Sequence, residues 1–342
     1  FLLCITASVG WSLEPSETLL GESTSVSAMV LQLPLTIAAF ALLRTGLSST
    51  SRMLWALALG CIPGSLLTVF NGLAGVQWKE GDTGYFMGLL PPDIFSPMLV
   101  MSATFLLTQV ILAPRRRNKV AAGIMLPILL LGIALAGIRS GWIAFLAASA
   151  FLFLQIRKPA IVLVLLMAGG IVAAIAFAAQ DKLPLSEQLA ARLSEKSMRT
   201  GEIRVEYWEV AARGFLRRPI LGIGWGAYPG FAADQSVGRE AVTHNVFLRI
   251  LCELGLVGFG AFWLWIVTTA RRSAHTAHGV LISSLMVATL TQGCFLDHFI
   301  CSYFWLFLGI CDGTRAYTPA RLLAQGEILE NGLEDQHISL AT

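Results

Sequence analysis

The chain has 342 residues, of which 56% are hydrophobic and only 13% charged. A soluble domain carries about 25% charged residues, so this composition, with a mean hydropathy of +0.71, excludes an ordinary soluble globule and a disordered chain and favours a polytopic membrane protein. A formal net charge of +3 is too small for nucleic-acid binding, and no nucleic-acid partner is expected. The six cysteines lie inside apolar stretches with no C-x-x-C pair. They read as small buried hydrophobes rather than a disulfide framework or a zinc site.

In chain order, Phe1–Trp11 is apolar with no basic stretch before it. It reads as the end of a membrane helix cut by the fragment boundary, with a signal segment as the alternative. Further apolar runs fall at about 26–45, 54–74, 94–113, 119–138, 141–156, 160–179, 244–270, 277–296 and 298–313. With the partial run at 1–12, they make about ten spans, of which 141–156 and 298–313 are short for a bilayer. Runs this long and this apolar predict helices rather than alternating barrel strands. The expected fold is an all-α polytopic bundle with a large hydrophilic helical loop.

Lys and Arg set the expected orientation. One set of short loops holds Arg44, Arg52, Arg115, Arg116, Arg117, Lys119, Arg157, Lys158, Arg271 and Arg272, and the opposite set holds only Lys79 and Arg139. The first set is predicted to be cytoplasmic, together with the tail after Asp312. The 64-residue loop from Gln180 to Thr243 falls on the other side and holds 17 of the chain's 45 charged residues. A loop this long is translocated whatever its charge, and it far exceeds what two helices need to turn. Ile203, Tyr207, Trp208, Ala211 and Phe215 recur in it at helical spacing. Pro219 is expected to end that helix, before a Gly-rich turn at Gly222-Ile223-Gly224-Trp225-Gly226.

Three residues at this outer face carry candidate chemistry. His244 lies where the loop meets the next span, with Thr243 as the expected N-cap. The positive end of the helix dipole favours neutral imidazole there, able to accept a proton as a general base must. The plain alternative is an interfacial His satisfied by water or a headgroup. Arg204 starts the amphipathic helix, and its planar fork of donors suits phosphate oxygens. Pairing with Glu202 or Glu206 is the alternative. Arg139 opposes the charge trend of its side, so it is either held by something or snorkels.

Weaker candidates are Arg249 just inside the eighth span, Glu253 one turn deeper and able simply to pair with it, and Asp297 with His298 at the last outer turn. His275 and His278 read as solvated loop residues. No carboxylate–His cluster has metal-ligand spacing, and no nucleotide or nucleophile-elbow motif is present. No metal and no cofactor is therefore expected.

The order of these pieces resembles the O-antigen ligase and O-antigen polymerase superfamily of bacterial membrane glycosyltransferases, over roughly Ile133 to Thr268. The pieces are Arg139-Ser140-Gly141-Trp142, Arg204-x-x-x-Trp208, Pro219-Ile220-Leu221-Gly222-Ile223-Gly224, His244-Asn245-x-x-Leu248 and Glu253-Leu254-Gly255-Leu256-x-Gly258. The early Trp11-Ser12-Leu13-Glu14-Pro15-Ser16 also looks like a family opening. The family more often reads Ser-Arg-Gly where this chain has Ile138-Arg139-Ser140-Gly141, so the spacing from Arg to Gly differs by one.

The resemblance implies a glycan donor on undecaprenyl pyrophosphate, presented at the periplasmic face of the inner membrane. It implies that His244 deprotonates or orients an acceptor hydroxyl, on lipid A–core for a ligase or on a lipid-linked repeat for an O-antigen or exopolysaccharide polymerase. Arg204 and Arg139 would hold the pyrophosphate as it leaves. It divides the chain into N-terminal helices at 1–132, a ligase-like core at 133–270 with the periplasmic loop at 180–243, two last helices at 271–313 and a cytoplasmic tail at 314–342. A lipid-linked sugar transporter is the alternative of another class, although no internal repeat is visible and the charges gather in one loop rather than at mid-membrane.

Overall fold

The computed structural model describes residues 2–16, 37–39, 41–43, 49–74, 92–136, 139–156, 195–235, 241–274, 278–296, 307 and 309–310. Among these residues every regular element is helical. A short α1 (Leu2–Ala7) continues into a 3-10 turn (Ser8–Gly10). The helices that follow are α2 (Thr50–Ala74), α3 (Pro92–Leu112), α4 (Arg116–Ala136), α5 (Arg139–Ile156), α6 (Glu195–Arg217), α7 (Tyr228–Asp234), α8 (Val246–Ala274) and α9 (Gly279–Gly293). Among the described residues four stretches are long and apolar enough to cross a membrane: Thr50–Asn71, Phe95–Leu112, Arg116–Ala134 and Val246–Ser273. Helices α5 and α9 are apolar but shorter. The expected spans at 26–45, 160–179 and 298–313 lie largely or wholly outside the described residues, so the count of ten is a reading of the sequence alone.

Helices α2, α3, α4, α5 and α9 form a bundle around α3, which buries 72% of its apolar stretch against 28% to 44% for the other three candidate spans. Lipid tails are as apolar as leucine, so burial of apolar surface does not drive such helices together; close contact does. The sequence supplies it with small residues: Gly64 faces the ring of Phe95, Gly132 faces Ser65, and Gly141 faces Ser96 and Val100. Several buried hydroxyls back-bond within their own helices, as Ser65 donates to the Cys61 carbonyl (3.0 Å), Thr68 to Gly64 (2.9 Å) and Ser149 to Phe145 (2.7 Å). The outward side chains are apolar instead: Leu59, Leu66, Phe70, Ile124, Leu131, Leu154 and Leu264 are all exposed, as expected of a lipid-facing surface.

The contacts of Gly64 with Phe95 and of Trp55 with Phe105 make α2 and α3 antiparallel. Gln292 of α9 donates to Ser96 Oγ at 3.3 Å, which brings the end of α9 to the start of α3 and α5. The free cysteines Cys61 and Cys252 are buried, and Cys4 and Cys294 are half-buried. His278 is half-buried just before α9 rather than solvated, and burial holds its pKa below the ordinary imidazole value.

Helix α8 departs from the single straight span expected at 244–270. Gly255 has φ 60° and ψ −161°, a conformation essentially confined to glycine, and it breaks the helix into arms at 246–254 and 256–274. The ring of Phe247 stacks on Trp263 at 5.7 Å. In a straight helix those residues, sixteen apart, would be separated by roughly 24 Å. The arms therefore fold toward each other.

A break in a helix frees backbone groups, and a second segment takes them up. The N–H groups of Leu256 and Val257 donate to the carbonyls of Pro219 (2.9 Å) and Ile220 (3.1 Å). In return Ile223 and Gly224 donate to the carbonyls of Cys252 (3.0 Å) and Glu253 (2.9 Å). The Gly-rich turn is thus the other half of the break. Gly222 has φ 72°, and a Cβ there would collide with the Glu253 carbonyl.

Gly255→Ala forces a Cβ onto the Ile220 carbonyl at a φ that L side chains rarely adopt. It should destabilise the protein by about 3 kcal/mol or more. Gly260→Ala, with open space around it, should leave the thermal midpoint in detergent unchanged or slightly raised.

Candidate functional site

The described part of the hydrophilic loop folds into two helices, α6 and α7, on a small core of its own. That core holds Val210, Ala211, Ile223, Ala227, Tyr228, Phe231, Ala232, Ala241 and Cys252. The buried stripe of α6 runs through Tyr207, Trp208, Val210, Ala211 and Gly214, whereas Ile203 is exposed. The half-buried Phe215 continues the expected face, which therefore holds apart from Ile203. Helix α6 ends at Arg217, ahead of Pro219 as expected.

The first arm of α8 lies between two cores. Val246, Ile250 and Leu254 face the bundle core, while Leu248 and Cys252 face the loop's core. Helix α6 runs alongside this arm in the same direction, pinned at three points. The Trp208 indole donates to the Thr243 carbonyl at 2.9 Å. Gly214 sits against Cys252, where a Cβ would come 2.5 Å from the sulfur. The chain after α6 then pairs with Leu256 and Val257.

These anchors place two of the candidates. His244 stands immediately before the arm, half-buried, with a φ of 47°. A left-handed backbone costs a non-glycine residue roughly 1–2 kcal/mol, so the surroundings fix this turn. The cap is Asn245, not Thr243 as expected. Asn245 Oδ1 accepts from the N–H groups of Phe247 (3.0 Å) and Leu248 (3.1 Å), while the Thr243 hydroxyl donates to the Asn245 carbonyl (3.3 Å). Asn is as good a cap as Thr, so the signal lay in the same tripeptide. Arg204 is half-buried on the face of α6 that carries Trp208, one turn earlier. Side chains four apart on a helix are neighbours. With Trp208 tied to Thr243, Arg204 extends along α6 from the anchor beside His244, off the positive end of α8.

Arg139 is the first residue of α5, whose neighbours Ser140 and Gly141 are buried. Helix α5 packs on α3, α4 and α9, whereas α6 packs on α7 and α8. Arg139 thus belongs to the bundle wall and Arg204 to the loop wall. Asp297 and His298 lie outside the described residues.

Arg249 and Glu253 pair with each other. Arg249 Nε donates to Glu253 Oε2 at 2.9 Å, with side chains 4% and 0% exposed. They sit one turn apart on the arm before the break, as expected, and the plain alternative that the two simply pair is the one seen. Around them stands a network the sequence did not reveal. The Arg249 guanidinium lies 4.9 Å from the Trp225 ring centroid, and the Tyr228 N–H donates to Glu253 Oε1 at 3.2 Å. The Tyr228 hydroxyl donates to the Tyr207 carbonyl at 2.9 Å. Burial, and then the nearby Cys252, Tyr207 and Glu253, push the Tyr228 pKa up against the opposing Arg213, which keeps the phenol a neutral donor.

The N-terminal segment closes the other side. Ser8 Oγ accepts from Trp225 N–H (3.1 Å), Leu13 N–H donates to the Ile223 carbonyl (2.7 Å), and Arg218 donates to the Trp11 carbonyl.

Removing one member of a buried ion pair leaves the other charge uncompensated, at about 3–5 kcal/mol. Glu253→Ala should therefore lower the thermal midpoint sharply. The double variant Arg249→Met/Glu253→Leu, which buries no charge, should recover most of that loss in the same measurement.

Among known proteins, residues 124–264 match the family model described as O-antigen ligase. That stretch runs from α4 to the second arm of α8 and includes Arg139, Arg204, His244 and the Gly255 break. No curated protein matches the chain. Among the described residues four helices are long and apolar enough to cross a membrane, and the segment 124–264 is similar to the O-antigen ligase family.

Proposed function

We propose that the protein transfers a glycan from an undecaprenyl-pyrophosphate donor to an acceptor hydroxyl at the periplasmic face of the bacterial inner membrane. The observation that carries this reading is the tether between Trp208 and Thr243. Arg204 lies one turn before Trp208 and His244 follows Thr243 ahead of α8, which supports reading this end of α8 as suited to an anionic group next to a proton acceptor. The family match over 124–264 supports the same chemistry.

In this reading His244 takes the proton from the acceptor hydroxyl as that oxygen attacks the anomeric carbon. The bond from the anomeric carbon to the pyrophosphate oxygen breaks, and the electron pair leaves with lipid pyrophosphate. Arg204, and Arg139 from the bundle wall, stabilise the charge that grows there. The donor is already activated, so the scheme draws on no nucleotide. Arg249 and Glu253 hold the arm that carries His244 rather than touching substrate. The ligase form of the reaction has lipid A–core as acceptor, and the polymerase form a lipid-linked repeat.

Asn tolerates the left-handed backbone at position 244 but offers no basic nitrogen. His244→Asn should lower transfer by about 10²–10⁴-fold while the protein still inserts in the membrane. Full activity would remove His244 from the reaction. Arg204→Lys keeps the charge and loses the fork, and should cost roughly tenfold or more. Each is read by transfer from purified lipid-linked glycan, offering the two acceptors separately, and product on one alone assigns ligase or polymerase.

A further inference from the structure

The end of the bundle where α3 turns into α4 carries cations that nothing nearby balances. Arg115, Arg116 and Arg117 stand at that turn, all exposed, with Lys119 two residues on. Lys119 has a use in the fold, since its ammonium donates to the Ile111 carbonyl at the end of α3 (3.4 Å). The three arginines face no carboxylate among the described residues. The chain has no Asp or Glu from Ser23 to Lys79 or from Ile94 to Gln180. Those stretches take in all of α2, α4 and α5 and all of α3 beyond its first turn, and α2, α3 and α5 are the helices on which α4 packs.

The placement also runs against the helix. Arg116 and Arg117 open α4, at the positive end of its dipole, where an anion is favoured and a cation is not. Arg52 adds to the same charge. Helices α2 and α4 run in one direction, since each is antiparallel to α3. Gly132 faces Ser65, and thirteen residues before these two stand Lys119 and Arg52, so Arg52 lies at the level of Lys119.

A second observation is the apolar stripe below this charge. Arg116, Val120 and Ile124 follow at intervals of four residues, with Leu131 seven further, so they share one face of α4. Val120 is 53% exposed, Ile124 65% and Leu131 45%, and Gly123 beside them has open space where a side chain would stand. From Val120 to Leu131 the stripe covers roughly 17 Å, against about 15 Å for one leaflet's half of the hydrocarbon layer. Arg116 stands roughly 6 Å further out, and the headgroups occupy about 5–7 Å on each side. A phosphate over apolar chains has this layout, and guanidinium is the donor suited to phosphate oxygens. An acidic peptide or a free anion would leave the stripe uncovered.

We infer that the start of α4 is a binding site for an anionic phospholipid of the phosphatidylglycerol type. Arg115, Arg116 and Arg117 hold its phosphate, Arg52 adds to the field, and an acyl chain lies along Val120, Ile124 and Leu131. The site stands at the opposite end of α4 from Arg139, roughly 30 Å away, so it is separate from the pyrophosphate site proposed above. The inference rests on the membrane-spanning character of α4 and is independent of the transfer reading.

The test places the full chain in phosphatidylcholine vesicles with a trace of spin-labelled phosphatidylglycerol or spin-labelled phosphatidylcholine, and measures the motionally restricted fraction of each. Phosphatidylglycerol is expected to associate several-fold more strongly, and Arg115→Gln/Arg116→Gln/Arg117→Gln to remove most of that preference. Arg271→Gln/Arg272→Gln, which removes two exposed cations from the end of α8, is expected to keep it. No preference in the wild type overturns the inference. An equal loss in the two variants also overturns it, because it means a diffuse attraction to basic residues rather than a site. Removing three arginines also weakens the signal that orients the chain, so a second measurement uses the wild type alone, with phosphatidylglycerol or phosphatidylcholine bearing a diazirine on the acyl chain. The ratio of phosphatidylglycerol to phosphatidylcholine adducts on the 120–131 peptide is expected to be several-fold above that on the peptide holding the exposed Leu264. Equal ratios on the two surfaces overturn the site.

Discussion

The constraint on which the rest of this structure depends is the backbone of α8 at Gly255. A helix interrupted inside or at the edge of a bilayer leaves N–H and C=O groups that no water can satisfy. Here the groups on both sides of the break exchange hydrogen bonds with the 219–224 turn. That exchange requires glycine at both ends of the contact: Gly255, because its φ and ψ exclude a side chain, and Gly222, because its α-carbon lies against the Glu253 carbonyl. The bend, the docking of the loop and the position of the site follow from this one pairing.

Two kinds of packing meet at the first arm of α8. On the bundle side, helices approach through Gly64, Gly132 and Gly141, because van der Waals contact rather than burial of apolar surface holds helices together in lipid. On the loop side, a compact core of Val210, Ile223, Phe231 and their neighbours is organised like a small soluble domain. The arm serves both, and its buried Arg249–Glu253 pair, with Tyr228 and Trp225, ties the loop's backbone to it. A buried pair of this kind contributes little net stability compared with an apolar substitute. Its value here is geometric: it fixes which face of the arm meets which core.

The proposed chemistry needs position more than unusual groups. A histidine held at a left-handed φ, an arginine one turn from a tethered tryptophan and the positive end of a helix are each ordinary, but together they define a spot for an anionic leaving group beside a proton acceptor. In the proposed reading pyrophosphate binding falls to Arg204 on α6 and Arg139 at the start of α5, two helices that pack on different partners.

The sequence by itself determined the membrane class, the helical content, the end of the bundle where Lys and Arg collect, and the helix and glycine-rich turn of the loop, because these depend on composition and local periodicity. It also marked His244, Arg204 and Arg139 as candidates through residue type and order, and it held the Asn245 cap, although Thr243 was the expected one. Only the tertiary structure decided that the stretch at 244–270 is two arms, since an isolated glycine in a helical pattern is compatible with either a straight helix or a break until a second segment supplies the hydrogen bonds. It alone paired Trp208 with Thr243 and Glu253 with Tyr228 N–H, contacts across tens of residues that no local pattern encodes. It also brought Gly214 against Cys252 and left Ile203, the first residue of the expected stripe, exposed, because how much of an apolar face is covered depends on the partner.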